Sequence, residues 1–202
     1  AVRELGADPG LLPGALHRAA AAQQNFQREL TAIGRRTLSY GRAREIPMVV
    51  VCGSEHVIFD RCVNAGIPGI LRQNGVLALP MDCHPVPGHV DAVSSVAWTD
   101  ARRAIRVALA ARETGDVFPL WLSSFGCGPA SFVEQVFDHL MHGYPHTCLE
   151  SDGHGGTAGF VTRIQAFLHG VRQFGRRPAP TPKRRLRVIE PVARRPLADD
   201  RD

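Results

Sequence analysis

A thiol stands between two glycines at the point where an apolar run gives way to a helix-like stretch. Ser124-Phe125-Gly126-Cys127-Gly128-Pro129 follows Val117-Phe118-Pro119-Leu120-Trp121-Leu122 and precedes Ala130-Ser131-Phe132-Val133-Glu134-Gln135-Val136-Phe137. Glycine on both sides removes Cβ crowding and lets a bulky ligand approach the backbone. The helix that follows aims its unpaired N–H groups at the sulfur, surroundings that suit a nucleophile or a metal ligand. The bland reading of the same residue is a small side chain filling a tight turn.

The two chemistries make different demands. A cysteine nucleophile needs a histidine base held by a third group. His56, His84, His89 and His154 are candidates, and spacing singles out none of them. A structural zinc site wants four nitrogen or sulfur ligands, often in close pairs, but Cys83 and His84 are adjacent and there is no CxxC pair. An iron–sulfur cluster needs three or four thiolates, which can be scattered through a chain or come from another domain. The five cysteines at 52, 62, 83, 127 and 148 are scattered in that way. By placement Cys52 is the best second ligand, although it equally suits the buried last residue of a strand. Cys148 reads as core, and Cys62 and Cys83 as loop residues. Gly53-Ser54-Glu55-His56 occupies the place of a phosphate-binding turn but carries neither GxGxxG nor GxxxxGK[ST]. Glu150, Asp152 and His154 cluster after the last apolar run, where they could touch a ligand or simply tie down a loop.

These residues need a scaffold, and the hydrophobic pattern specifies one. Residues 13–40 have helical periodicity through Leu16, Ala20, Phe26, Leu30, Ile33 and Leu38. Met48-Val49-Val50-Val51-Cys52 is a short continuous apolar run ending at Gly53, the pattern of a strand covered on both faces. A polar loop, a helix from Ile67 to Gln73 and a second strand, Val76-Leu77-Ala78-Leu79, come next. Residues 80–96 read as a long loop. Asp100 to Arg112 forms a helix, Val117 to Leu122 a third strand, and 130–142 a helix with a broad apolar stripe. A strand at 146–150 and a helix at 158–171 complete the set. Strands alternating with helices imply right-handed crossovers and a parallel four-stranded sheet, an α/β domain of Rossmann or flavodoxin kind in the order 2-1-3-4. That order brings the carboxyl ends of strands one and three side by side, where open α/β sheets bind ligands.

The boundaries follow: a helical lead-in over 1–45, the α/β unit over 46–172 and a Pro/Arg-rich linker or truncated tail over 173–202. From Arg172 onward there are nine Arg and one Lys against four acids, so the tail carries +6 of the net charge of +5 and the rest carries −1. The tail reads as a solvated linker, and nucleic-acid binding is not expected because no aromatic residues interleave with the charges. Leu186-Arg187-Val188-Ile189 resembles the first strand of something further. With 44% hydrophobic residues the chain can build a core. No apolar stretch approaches the roughly 20 residues needed to span a bilayer. An odd number of cysteines without a secretory signal points to a reducing, cytoplasmic setting. The chain opens at Ala1 and reads as a piece of something larger.

Taken in order, Ser124-Phe125-Gly126-Cys127-Gly128-Pro129 with Ser131-Phe132, Leu149-Glu150-Ser151-Asp152-Gly153-His154, and Gly159-Phe160-Val161-Thr162-Arg163-Ile164-Gln165-Ala166-Phe167 form a recognisable set, supported by Asn64-Ala65-Gly66-Ile67-Pro68 and Leu79-Pro80-Met81-Asp82. From about residue 20 to about 170 the chain resembles the 2-hydroxyacyl-CoA dehydratase superfamily. The likeness is to the dehydratase-like region of large CoA-substrate-specific enzyme activase proteins. The resemblance implies two similar α/β subdomains with a cysteine-held iron–sulfur cluster between them. Cys127 would be one ligand, the others lying in a missing upstream subdomain. It also implies an ATP-dependent activase, in domains further upstream or a partner, that delivers a low-potential electron. In the dehydratases that electron makes a ketyl radical from an acyl-CoA thioester before water is lost. Where the family shows Gly-Arg-Pro-Tyr after its first strand, this chain has Gly53-Ser54-Glu55-His56, and Cys52, Cys62, Cys83 and Cys148 match no family ligand.

The expectation is therefore a subdomain that contributes Cys127 to a low-potential cluster, with Gly126 and Gly128 giving it room and Glu150, Asp152 and His154 lining the same edge. Its partners would be the missing subdomain, the activase and an acyl-CoA or other small-molecule substrate, with no membrane. Two other classes stay open: a docking or regulatory module in which the turn is structural, and a cysteine-dependent hydrolase or transferase.

Overall fold

Val49, Val50 and Val51 give strand β1 (Met48–Gly53) its stiffness, and all six of its residues are buried, as a strand covered on both faces requires. The computed structural model describes residues 6, 8–90, 96–151 and 156–174. In it β1 pairs in parallel with β2 (Leu77–Pro80) and with β3 (Val117–Ser124), and β3 pairs in parallel with β4 (Thr147–Ser151). The sheet order is β2-β1-β3-β4, the order that the alternation of elements implies. Cys52 lies opposite Trp121 and Gly53 opposite Leu122, so β1 and β3 end side by side.

Right-handed crossovers fix which face each helix covers. Helix α3 (Ile67–Gln73) links β1 to β2, whereas α4 (Thr99–Thr114) and α5 (Gly128–Met141) lead in the opposite direction across the sheet. Accordingly α4 packs against α5, and α3 against α6 (Thr157–Phe174). Pro68 and Pro129 sit in the first turns of α3 and α5, where a missing N–H costs nothing. Gly115 closes α4 with a left-handed φ of 76°.

Helix α1 (Leu12–Ala43) approaches the sheet edge only with its second half, where Gly34, Leu38 and Gly41 are buried. A Cβ on Gly34 would stand 1.7 Å from the Cys83 carbonyl oxygen, so glycine alone permits this crossing. Leu11, Leu12, Leu16 and Phe26 on the first half are exposed.

Between the helices the core closes on Ile105, Leu120, Leu122, Phe137, Leu149, Ile164 and Leu168, all fully buried. Trp121 lies 5.4 Å from the Phe137 ring. At the amino end of β3, Phe118, Tyr144 and Phe174 pack together, and the Tyr144 hydroxyl donates to the Val117 carbonyl at 2.9 Å.

Two segments that read as loop carry short helices. Helix α2 (Glu55–Phe59) follows β1, and a 3-10 turn spans Met81–Cys83. Both are too short for periodicity to reveal. The boundary expected at 45/46 falls between α1 and β1, and α6 runs on to Phe174. The tail from residue 175 lies outside the described residues, and with it Leu186–Ile189. Among the described residues no helix is long and apolar enough to cross a membrane.

Candidate functional site at the carboxyl edge of the sheet

The β3–α5 turn is built by its own backbone. Cys127 N–H donates to the Ser124 carbonyl at 3.1 Å, closing a four-residue turn whose third member, Gly126, takes a φ of 77°. A side chain is strained there, which is why glycine precedes the thiol. Phe125 N–H donates to the Ser151 carbonyl at 2.9 Å and ties the turn to the end of β4. Cys127 is the residue before α5, and its carbonyl accepts from Ser131 N–H at 3.0 Å and from Ser131 Oγ at 3.0 Å. Among the described residues no side chain caps the first N–H groups of α5. They remain available to a ligand beside the sulfur.

Cys127 is half-buried, neither sealed in the core nor free on the surface. It lines a cleft of about 340 Å³ between the ends of β1 and β3 and the starts of α4 and α5. Gly53, Ser54, His56, Trp98, Thr99, Asp100 and Trp121 line the same cleft. Trp121 is 2% exposed, and its indole N–H finds no acceptor among the described residues. Among the described residues a Cβ added to Gly126 or to Gly128 would meet nothing within 4 Å, so none of them crowds the sulfur from either side. Three aromatic side chains near the turn, Phe125, Phe132 and Trp98, are exposed, and Trp98 meets Phe132 edge to face at 6.1 Å.

The other sequence candidates are distributed more widely. Cys52 is fully buried against Trp121, and burial pushes its thiol far above the ordinary range, so it is a core residue and not a second group at the rim. Cys148, expected in the core, is only partly covered because β4 is the edge strand. It lines a groove with Glu134, Asp138 and His146. Burial and the Glu134 carboxylate push its thiol up; burial, and then Glu150, push Glu134 up in turn. Glu150 is exposed on β4 near Glu134 and is not among the cleft residues. Asp152 and His154 lie outside the described residues. Cys62 is exposed, and Cys83 is buried under α1.

No spacing in the sequence gives a histidine a place beside Cys127, yet β1 and the start of α2 bring His56 into its cleft, which Asp100 from α4 also lines. The signal lay in the strand order, since the loop after β1 must face the loop after β3. His142 and His146 have a ligand-like separation, but His146 is committed to the Tyr144 carbonyl at 2.7 Å and to Asp138 at 2.9 Å. Among the described residues no group of three His, Cys, Asp or Glu side chains could hold a metal ion.

Residues 1–83 match the model of a family described as a CoA enzyme activase uncharacterised domain. The matched stretch runs through α1, β1, α2, α3, β2 and the Met81–Cys83 turn, and it stops short of Cys127. It supports a relationship to CoA enzyme activases. No curated protein and no solved structure matches this chain.

Proposed function

We propose that the chain is one α/β lobe of a CoA enzyme activase-related, dehydratase-like protein, and that Cys127 is its single ligand to an iron–sulfur cluster shared with a second lobe. The half-buried thiol at the carboxyl edge carries this reading. It stands before a helix that no described side chain caps, crowded by no described residue from either side, and the exposed aromatics Trp98, Phe125 and Phe132 are ones that a neighbouring lobe would cover. One thiolate cannot hold a cluster, so the remaining ligands come from outside the described residues. Such a cluster would supply one-electron transfer at low potential. This chain's own part is to place the sulfur, leave space at Gly126 and Gly128, and exclude water through Trp98, Phe125 and Phe132. Asp152 and His154, next in the chain after β4, would line the same edge, together with Glu150 on β4 itself. ATP would act only through the activase, and an acyl-CoA is the substrate class. Five free thiols fit a cytoplasmic setting.

The test has two arms. Cys127→Ser in the full-length protein should abolish the cluster, measured as iron, sulfide and the visible absorption band. An intact cluster would overturn the reading and leave the turn a structural part of a docking module. Anaerobic reconstitution of the 202-residue chain alone should give no stable centre, and near-stoichiometric iron and sulfide on it would refute the shared-ligand proposal.

The shared cleft of His56, Asp100 and Cys127 favours one second reading, a cysteine-dependent transferase or hydrolase. It requires His56→Ala to slow alkylation of Cys127 at least tenfold. Equal rates would exclude it.

A further inference from the structure

A second cavity, of about 690 Å³, lies between the middle of α1, the turn after β2 and the start of α4. Its walls hold three arginines against one carboxylate. Helix α4 places Arg102, Arg103 and Arg106 in its first two turns, at the end where the helix dipole is already positive and cations are disfavoured. Trp98, which precedes the helix, offers no side-chain acceptor to the first N–H groups. Of the three guanidiniums, Arg103 is neutralised by Asp82 at 2.6 Å, and Arg106 donates through Nε to the Val90 carbonyl at 2.9 Å. Arg102 has no partner among the described residues.

His84, which lines the same cavity, is 5% exposed, and neither of its ring nitrogens has a partner in hydrogen-bonding geometry among the described residues. Burial lowers its pKa, against a weaker opposing pull from the Pro85 backbone, so the ring is neutral and offers one donor and one acceptor. Leaving such a group unmet costs stability, and buried polar groups that persist without a protein partner point to water, an ion or a ligand. The carboxylate of Asp82, 6% exposed, lines the same space.

We propose that this cavity binds a phosphate ester of nucleotide size, with Arg102 and Arg106 holding the phosphate while Asp82 and His84 take a hydroxyl or amino group of the same molecule. The volume falls within the roughly 300–1,000 Å³ of small-molecule sites and far exceeds a bare phosphate. Thr99 lines both this cavity and the Cys127 cleft, so a ligand anchored here reaches toward the thiol along the start of α4. The inference stands on the cavity alone and does not need the iron–sulfur reading. A phosphorylated end of CoA and a free nucleotide share the required chemistry.

Titration calorimetry of the full 202-residue chain with adenosine 3′,5′-bisphosphate, ADP and inorganic phosphate tests it. The organic phosphates should bind, inorganic phosphate at least tenfold more weakly, and all should weaken at about 0.3 M salt. Preference for the bisphosphate identifies the CoA end, and preference for ADP identifies a free nucleotide. Arg102→Ala with Arg106→Ala should cut affinity at least tenfold; alanine favours the helix, so the variant keeps its fold. Cys127→Ser should leave affinity unchanged, which separates this result from the cluster proposal. Absence of binding by both organic phosphates, equal affinity for inorganic phosphate, or an unaffected double variant would overturn it.

Discussion

Arg103 reaches Asp82 at 2.6 Å and so joins α4 to the turn after β2, while Glu55 at the start of α2 stands 3.8 Å from the same guanidinium. Asp82 is 6% exposed and Arg103 about a third exposed, so the carboxylate pays most of the desolvation. Removing only the cation strands a buried charge. Arg103→Ala should therefore destabilise the chain by about 3 kcal/mol, measured by urea unfolding. Arg103→Ala combined with Asp82→Asn should recover part of that loss.

A second pair, Arg42 and Asp116 at 2.5 Å, links the end of α1 to the approach to β3. Burial alone would raise the Asp116 carboxyl, but hydrogen bonds from Arg42 and Thr114 and the guanidinium charge outweigh it and hold the group below its ordinary value. A depressed folded-state value means the stabilisation is present above the unfolded carboxylate pKa of about 3.9 and is lost as pH falls through the lower folded value. Both side chains are partly solvated, so the effect is about 1 kcal/mol or less. Asp116→Asn should flatten the acid limb of a stability–pH curve below about pH 4.

The crossing of α1 over Cys83 gives a sharper expectation. Gly34→Ala puts a methyl group 1.7 Å from a backbone oxygen, which only backbone movement can relieve. The loss should be about 2 kcal/mol or more, above the helix-propensity gain of about 1 kcal/mol. Thermal melting reads it, and an unchanged melting temperature would contradict the packing described.

Thiol accessibility provides a map of the site. Iodoacetamide on the native chain should label Cys62 first and Cys127 next. Cys52 and Cys83 should react only on unfolding, since both are buried and burial pushes both thiols up. Cys148, raised by burial and by Glu134, should lag behind Cys127. Peptide mass spectrometry after timed quenching resolves the order. Fast native labelling of Cys52 would mean that β1 is not sealed against β3.

The valine run of β1, the stripe on α5 and the Gly-Cys-Gly turn were legible in the sequence because each rests on local pattern: continuous apolarity, a period of 3.6 and glycine at a forced φ. Strand order followed from crossover handedness, and with it the place of Cys127. Less was legible where tertiary contact decides. Helix α2 is five residues long, too short to show a period. Cys52 and Cys148 both sit in strands, and only the sheet order shows that one is central and sealed while the other faces a groove. His56 and Arg102 belong to cavities made by elements far apart in the chain, which no spacing rule reveals.

The long helix α1 has one further consequence. Thirty-two residues make a rod of about 48 Å, yet its burial begins only at Gln27 and is complete at Gly34, Leu38 and Gly41. Among the described residues nothing packs on the leading four turns, which then rest on intrinsic propensity, marginal for so short a stretch in water. The rod thus behaves as two thermodynamic segments: an anchored stem that melts with the sheet, and a free arm whose amides trade hydrogen for deuterium long before the rest.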